Sequence, residues 1–219
     1  MHDLSLNSGE RQVATEFAAI RADHRFRYAW ADARIPAGGF GLDAFCGNGY
    51  GTWLLAQSRT VLGIDGSSEA IRLAEVHYRS PRTFFTTQYF PFELPAEVFD
   101  FVVSLESVEH VADGHGFFQK LVGSLKPGGQ LVFSTPCEDH LPLAMTGNHF
   151  HFRHYSLAET LALAGSCGLT LIEWAGQNTY QMQPDGRQGA LLPESEMGLA
   201  IERAGQFTLV LCQKGATQD

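Results

Sequence analysis

Cysteine is scarce in this sequence: Cys46, Cys137, Cys167 and Cys212 are spread over 219 residues and form no C-x-x-C pair. That spacing excludes a disulfide framework and suggests no thiolate metal site. Long hydrophobic runs are missing as well, and none approaches the roughly 18 residues that a bilayer span needs. Basic residues are few, with Lys plus Arg at 15 against Asp plus Glu at 24, a formal charge of −9. A chain so acidic is a poor candidate for gripping nucleic acid through phosphate contacts alone, though it can accept a cationic ligand. The start, Met1-His2-Asp3, lacks the basic and then apolar pattern of a signal peptide. No internal repeat and no Pro/Ser-rich linker divides the chain. These absences predict a soluble protein of a reducing cytoplasm.

What the chain does have is a core: hydrophobic residues make up 44%, which excludes a disordered polymer. Val13, Phe17, Ile20, His24 and Tyr28 recur at three- and four-residue steps and predict a helix over 10–33. Pro36 and Gly38-Gly39 end it. Strands are expected at 40–45, 60–64, 83–87, 99–104, 131–134, 169–174 and 208–212. Helices are expected between them, through about 58, to about 78, over 117–125 and over 157–166. Lys126-Pro127-Gly128-Gly129 reads as a turn, and Asp65-Gly66-Ser67-Ser68 as a helix cap. Strands apolar on both faces, alternating with helices, indicate a parallel sheet covered on both sides. The polar stretch 176–206 is too long for an idle connection, and loops of that length usually carry function or are disordered.

The segment Gly41-Leu42-Asp43-Ala44-Phe45-Cys46-Gly47-Asn48-Gly49-Tyr50-Gly51 is a strand running into a tight turn that opens a helix. Glycine there permits positive φ and lets a ligand approach bare backbone. A dinucleotide fingerprint would need a third glycine at Thr52 or Leu54, so a nicotinamide oxidoreductase is disfavoured. Asp65 ends the second strand, 22 residues after Asp43, where an acidic side chain accepts hydrogen bonds from ribose hydroxyls. As a pair, the turn and the acid point to a nucleoside-bearing ligand.

The turn resembles the L-D-x-G-C-G-x-G motif of class I S-adenosylmethionine-dependent methyltransferases. Val61-Leu62-Gly63-Ile64-Asp65, Phe99-Asp100-Phe101-Val102-Val103-Ser104 and Leu125-Lys126-Pro127-Gly128-Gly129 resemble their later motifs in the same order. Phe45 is a departure, since the family usually has glycine there. The resemblance is nearest to the branch of ubiquinone-biosynthesis O-methyltransferases and glycan-associated bacterial methyltransferases. Three segments carry it: Arg25-Phe26-Arg27-Tyr28, Ser104 to Val111, and Asn148 to Ser156.

This family implies an α/β, Rossmann-like fold with a seven-stranded, mostly parallel sheet, helices on both faces and an antiparallel last strand. It implies one domain over 1–219, divided into a helical cap (1–36), a cofactor-binding half (37–135) and an acceptor-side half (136–219). S-adenosyl-L-methionine is the implied cofactor, with Arg27, Asp43, Gly47, Gly49, Asp65 and Leu105 as its contacts and Arg25 as the alternative to Arg27. The implied reaction moves a methyl group to a small-molecule acceptor, most simply at a hydroxyl. A binding-only module of a glycan-assembly complex is the contrasting reading.

Six of the nine histidines fall between His110 and His154. Glu106, Glu109 and His110 follow the fourth strand and share a face if that segment turns helically. His151 follows the fifth strand and can reach the same crevice. The four match, position by position, the metal site of small-RNA 3′-end 2′-O-methyltransferases, so one divalent ion (Mg, Mn, Fe or Zn) is one reading. His110 as general base with Glu106 orienting, or a structural role for all of them, stays open beside it. His154 and Tyr155 are acceptor-side candidates. S-adenosylmethionine and S-adenosylhomocysteine are expected to bind, with no comparable binding of nicotinamide dinucleotides. Calorimetry checks this, and tighter binding of a dinucleotide overturns it.

Overall fold

Alternating βα units build the first half of the chain. The computed structural model describes residues 12–216. In chain order it runs α1 (Ala22–Asp32), β1 (Phe40–Ala44), α2 (Tyr50–Leu55), β2 (Thr60–Asp65), α3 (Ser68–His77), β3 (Thr83–Thr87) and β4 (Phe99–Leu105). Then follow α4 (Gly114–Ser124), β5 (Leu125–Pro136), α5 (Leu143–Thr146), α6 (Leu157–Ser166) and β6 (Leu169–Gln177). Four further strands finish the chain: β7 (Tyr180–Met182), β8 (Gln188–Leu191), β9 (Leu199–Ile201) and β10 (Phe207–Lys214).

The main sheet has the order β3-β2-β1-β4-β5-β10-β6-β9. Strands β1 to β5 pair in parallel, and β10 slots antiparallel between β5 and β6. The expected seven strands are all present. An eighth, β9, adds to β6 from the long polar stretch, which also folds β7 against β8. The expected turn at 126–129 is part of β5 instead, accommodated by an irregularity in the β4–β5 register and by Gly128 at φ 76°.

Period-two alternation divides the core into two layers. Val102, Leu131, Phe133, Val210 and Cys212 pack with Phe117 and Leu121 of α4 and Ala164 of α6. Phe101, Val103, Val132, Leu209 and Leu211 pack on the other face, with Tyr28 and Trp30 of α1 and Leu55 of α2. Each strand therefore buries both faces, which is why its residues read as continuous apolar runs. Ser67 caps α3 by accepting from the Ala70 N–H, as its sequence position predicts.

The N-terminal helix is shorter than the periodicity predicts. It begins at Ala22, residues 17–19 make a single 3₁₀ turn, and 10 and 11 lie outside the described residues. The Ala14 carbonyl is captured by Asn48 Nδ2 at 2.7 Å and by the Tyr78 hydroxyl at 2.9 Å. Those tertiary bonds draw the segment across α2 and α3 as an extended strap, and the local helical pattern yields to them.

Asp43 ties α1 and α2 to β1. It is fully buried and accepts from the Tyr28 hydroxyl at 3.0 Å and the Thr52 hydroxyl at 2.6 Å. Burial raises its pKa to about 7, against the two hydrogen bonds that favour the anion. The folded state therefore holds this proton more tightly than the unfolded chain. Its stabilising effect is full below the ordinary carboxyl value near 4 and is lost as pH rises through about 7. Asp43→Asn should flatten that part of the pH–stability profile. Urea unfolding of both proteins on either side of this window checks it, and parallel profiles would overturn it.

Candidate active site

The C-terminal ends of β1, β2, β4 and β5 open onto a cleft of about 750 Å³, where ligands of open α/β sheets bind. Phe45, Cys46 and Gly47 line it after β1, Asp65 after β2, Leu105 and Glu106 at the end of β4, and Pro136 after β5. Asp65 organises the floor. One of its carboxylate oxygens accepts the Gly47 N–H at 3.0 Å and the other the Ser67 N–H at 2.8 Å. Gly47 has φ 56°, and a Cβ there would meet nothing within 4 Å, so the backbone is open to a ligand.

Phe45 also sits at positive φ, 61°, where an L side chain is strained. Its ring is turned against Phe117, centroids 5.3 Å apart at 81°, and so extends an aromatic cluster with Phe90 and Phe92. The departure from the usual glycine is held by packing.

Of the expected cofactor contacts, Arg27, Gly47, Asp65 and Leu105 line the cleft. Asp43 and Gly49 do not, and both act behind the turn. Asp43 makes the helix ties described above, and a Cβ on Gly49 would come within 2.7 Å of the Ala74 Cβ and 2.8 Å of the Phe85 ring. Gly49 is therefore small because α3 and β3 approach it. Arg25 is bound to Glu194 and to the Ile20 carbonyl, so the alternative alignment falls away.

Arg27 is almost wholly buried. Its Nε donates to Gln177 Oε1 at 2.6 Å, Nη2 reaches Asp23 at 3.3 Å and Nη1 reaches Glu106 at 3.5 Å. The guanidinium stacks 4.0 Å from the Phe207 ring centroid. Asp23, itself fully buried, is held well below the usual carboxylate range by Arg21 and Arg27 despite its burial. Neither Asp23 nor Gln177 was legible as part of the site. Gln177 lies at the end of β6, 150 residues from Arg27, and no local motif links them.

Glu106, Glu109, His110, His151 and His154 all line the cleft. Three of them converge: Glu109, His110 and His151 each offer a ligand atom within 4.8 Å of the others. Glu106, expected as a fourth ligand, is held elsewhere. It accepts from the Ser134 hydroxyl at 2.6 Å and pairs with Arg27. The segment after β4 forms a 3₁₀ turn over Val108–His110, with Glu106 at φ 51°, so the single helical face assumed from the spacing is not formed.

Glu109 is fully buried, and neither carboxylate oxygen has a hydrogen-bond partner among the described residues. Burial, followed by the nearby Glu106 charge, raises its pKa to about 8. His110 Nδ1 faces the Phe150 carbonyl at 3.3 Å, and Nε2 lies 4.0 Å from Glu109. Tyr155 belongs to the core, with its hydroxyl over Gly114, and is not an acceptor-side group. Tyr89 and Phe90, just past β3, form a wall that the sequence reading passed over.

A family model for a methyltransferase domain matches residues 42–133. A ubiquinone biosynthesis O-methyltransferase of Thiobacillus denitrificans is 30% identical over 190 residues, covering 76% of this chain and 79% of its own length. One from Pseudomonas fluorescens is 34% identical over 132 residues, and there the match covers 55% of each chain. Among solved structures, an S-adenosylmethionine-dependent methyltransferase of Mesorhizobium loti superposes with a TM-score of 0.66 at 17% identity, covering 89% of this chain and all of that one. At that identity the likeness concerns the fold.

Asp65→Ala removes the tether of Gly47 and the carboxylate expected to accept ribose hydroxyls. Affinity for S-adenosylhomocysteine should fall on the order of tenfold or more. Calorimetry on the folded variant measures it, and unchanged affinity removes Asp65 from the site.

Proposed function

The chain belongs to the class I S-adenosylmethionine-dependent methyltransferases, and from that premise we propose that it methylates a hydroxyl oxygen of a small molecule with help from a divalent cation held by Glu109, His110 and His151. The observation that carries the proposal is the Glu109 carboxylate, fully buried beside two imidazoles and without a hydrogen-bond partner among the described residues. A buried acid in that state is costly unless it is neutralised or paired. A mixed oxygen and nitrogen donor set suits Mg, Mn, Fe or Zn. The relatives named for ubiquinone biosynthesis O-methylation support oxygen as the acceptor atom.

S-adenosylmethionine supplies an already activated methyl group on a sulfonium. The bound cation would supply Lewis acidity that lowers the pKa of an acceptor hydroxyl. The chain's own residues then align and exclude water. Asp65 holds the Gly47 and Ser67 N–H groups in the cleft floor and is the carboxylate proposed to accept the ribose hydroxyls. Arg27, held by Asp23, Gln177 and Glu106, is the group we assign to the carboxylate of the cofactor. Phe45, Phe90 and Val111 line a dry wall facing the reacting groups. As the acceptor oxygen bonds to the methyl carbon, the carbon–sulfur bond breaks and its electron pair stays on sulfur. The hydroxyl proton, made acidic by the cation, leaves to water at the mouth of the cleft, since His110 and His151 would give their ring lone pairs to the cation.

His110 acting as base without a metal is the second reading, supported by its Nδ1 contact with the Phe150 carbonyl, which leaves Nε2 toward Glu109. The free cysteines and the acidic balance suit a cytoplasmic enzyme, and among the described residues no helix is long and apolar enough to cross a membrane.

Methyl transfer to a panel of hydroxylated metabolites is the direct test. Chelation should abolish turnover, added metal should restore it, and S-adenosylhomocysteine binding should survive throughout. Glu109→Ala should copy the chelated state. Full turnover after exhaustive chelation, with no metal by elemental analysis, leaves His110 as base.

A further inference from the structure

A chain of hydrogen bonds runs behind the cluster from one backbone group to another. The Phe150 N–H donates to Asn148 Oδ1 at 2.8 Å, which fixes the amide so that Nδ2 is its other end. Asn148 Nδ2 lies 3.0 Å from His151 Nε2. An amide NH₂ can only donate, so His151 Nε2 is bare and a neutral ring must carry its proton on Nδ1. That Nδ1 lies 2.7 Å from His154 Nε2, which therefore accepts. His154 in turn carries its proton on Nδ1, 2.7 Å from the Leu141 carbonyl, which can only accept. The assignment made from the Phe150 end and the one made from the Leu141 end agree at every link.

We propose that His154 is a positioning residue that locks His151 in the Nδ1–H tautomer, leaving Nε2 as the nitrogen with a lone pair to give at the cleft. The inference concerns the same site as the proposed function and rests on that reading for its purpose, though the tautomer itself can be tested independently. His154 is 4% exposed, and its Nδ1 is spent on the Leu141 carbonyl, so it acts through His151. Without an acceptor at His154 Nε2, the Nδ1 proton of His151 has nothing to hold it. The ring would then be free to carry its proton on Nε2 or to rotate, and either removes the lone pair from the cluster. An outer partner that orients a ligating imidazole in this way commonly contributes tenfold or more to metal affinity.

The lone pair on His151 Nε2 is shared with Asn148, a side chain that also lines the cleft. A cation or an acceptor proton arriving there replaces the amide, so Asn148 holds the ring in register until then. His110 obeys the same rule, with Nδ1 facing the Phe150 carbonyl. Both imidazoles are thus held by backbone carbonyls, one directly and one through His154, with Nε2 as the reacting nitrogen.

Two-bond proton–nitrogen correlation spectra of the full chain with labelled histidine test this directly. In the unliganded wild-type protein, His151 and His154 should both show a protonated Nδ1 and a bare Nε2. His154→Phe keeps ring volume and removes the acceptor; His151 should then lose the pure Nδ1–H pattern, and Mn²⁺ affinity by calorimetry should fall about tenfold or more. His154→Gln returns an acceptor near the position of Nε2 and should restore most of both. S-adenosylhomocysteine binding should be unchanged in either variant. A wild-type His151 protonated on Nε2 overturns the proposal, whether or not the Phe variant folds, and so does an unchanged His151 pattern in folded His154→Phe. If the tautomers are as assigned but the wild-type protein binds no metal, the lock stands and the metal reading fails.

Discussion

The Asp65 carboxylate is the constraint on which the site depends. It closes β2, and its two oxygens hold the glycine turn after β1 and the cap of α3. A single acidic side chain thereby sets the distance between the two βα units whose strand ends form the cleft floor. The group that builds the floor stands at the end of β2, on the wall of the cleft. Strand β1 can end so abruptly because Phe45, Gly47 and Gly49 all adopt positive φ within five residues. The turn's shape combines two unstrained glycines, one tied to a carboxylate, with one strained residue held by aromatic packing.

Buried charge is distributed around that floor in two contrasting ways. Arg27 is surrounded by Asp23, Glu106 and Gln177 and stacks on Phe207, so its desolvation is offset by partners on α1, β4 and β6. Glu109, three residues beyond Glu106, has no such hydrogen-bond partners among the described residues. In a low-dielectric interior that difference leaves Arg27 partnered and pushes the Glu109 carboxyl toward its protonated form. The protein satisfies one acid of the E-x-x-E-H segment through Ser134 and Arg27 and leaves the other turned to the histidines.

Much of the fold was legible because its signal is local. Apolar strands such as Phe99–Leu105 need cover on both faces, and glycine turns and Ser caps mark where strands give way to helices. Asp65, Gly47 and Leu105 could be placed because they lie next to strand ends, where sequence position fixes spatial position. The helix expected over 10–33 failed where Asn48 and Tyr78 took the Ala14 carbonyl. Asp43 and Gly49 belong to the readable motif, yet their side-chain positions face Tyr28, Thr52, Ala74 and Phe85. A motif says which residues recur together, and burial decides which of them meet a ligand.

The sequence by itself determined the βα alternation, the strand ends and the acidic group beside the glycine turn, since each follows from periodicity or from residues within one turn of chain. Only the tertiary structure decided the direction of each polar side chain. Glu106 and Glu109 are three residues apart, and spacing treats them as equals. A positive φ at Glu106 and the positions of Ser134 and Arg27 send them to different partners. His151 and His154 likewise read as two similar imidazoles, until the Leu141 carbonyl and Asn148 fix where each proton sits. Ser134 and Arg27 are distant from Glu106 in the chain, and even the nearer Asn148 and Leu141 lie outside any regular repeat that spacing could read. Their effect is short-ranged and directional, so it exists only once packing has brought them within hydrogen-bond distance.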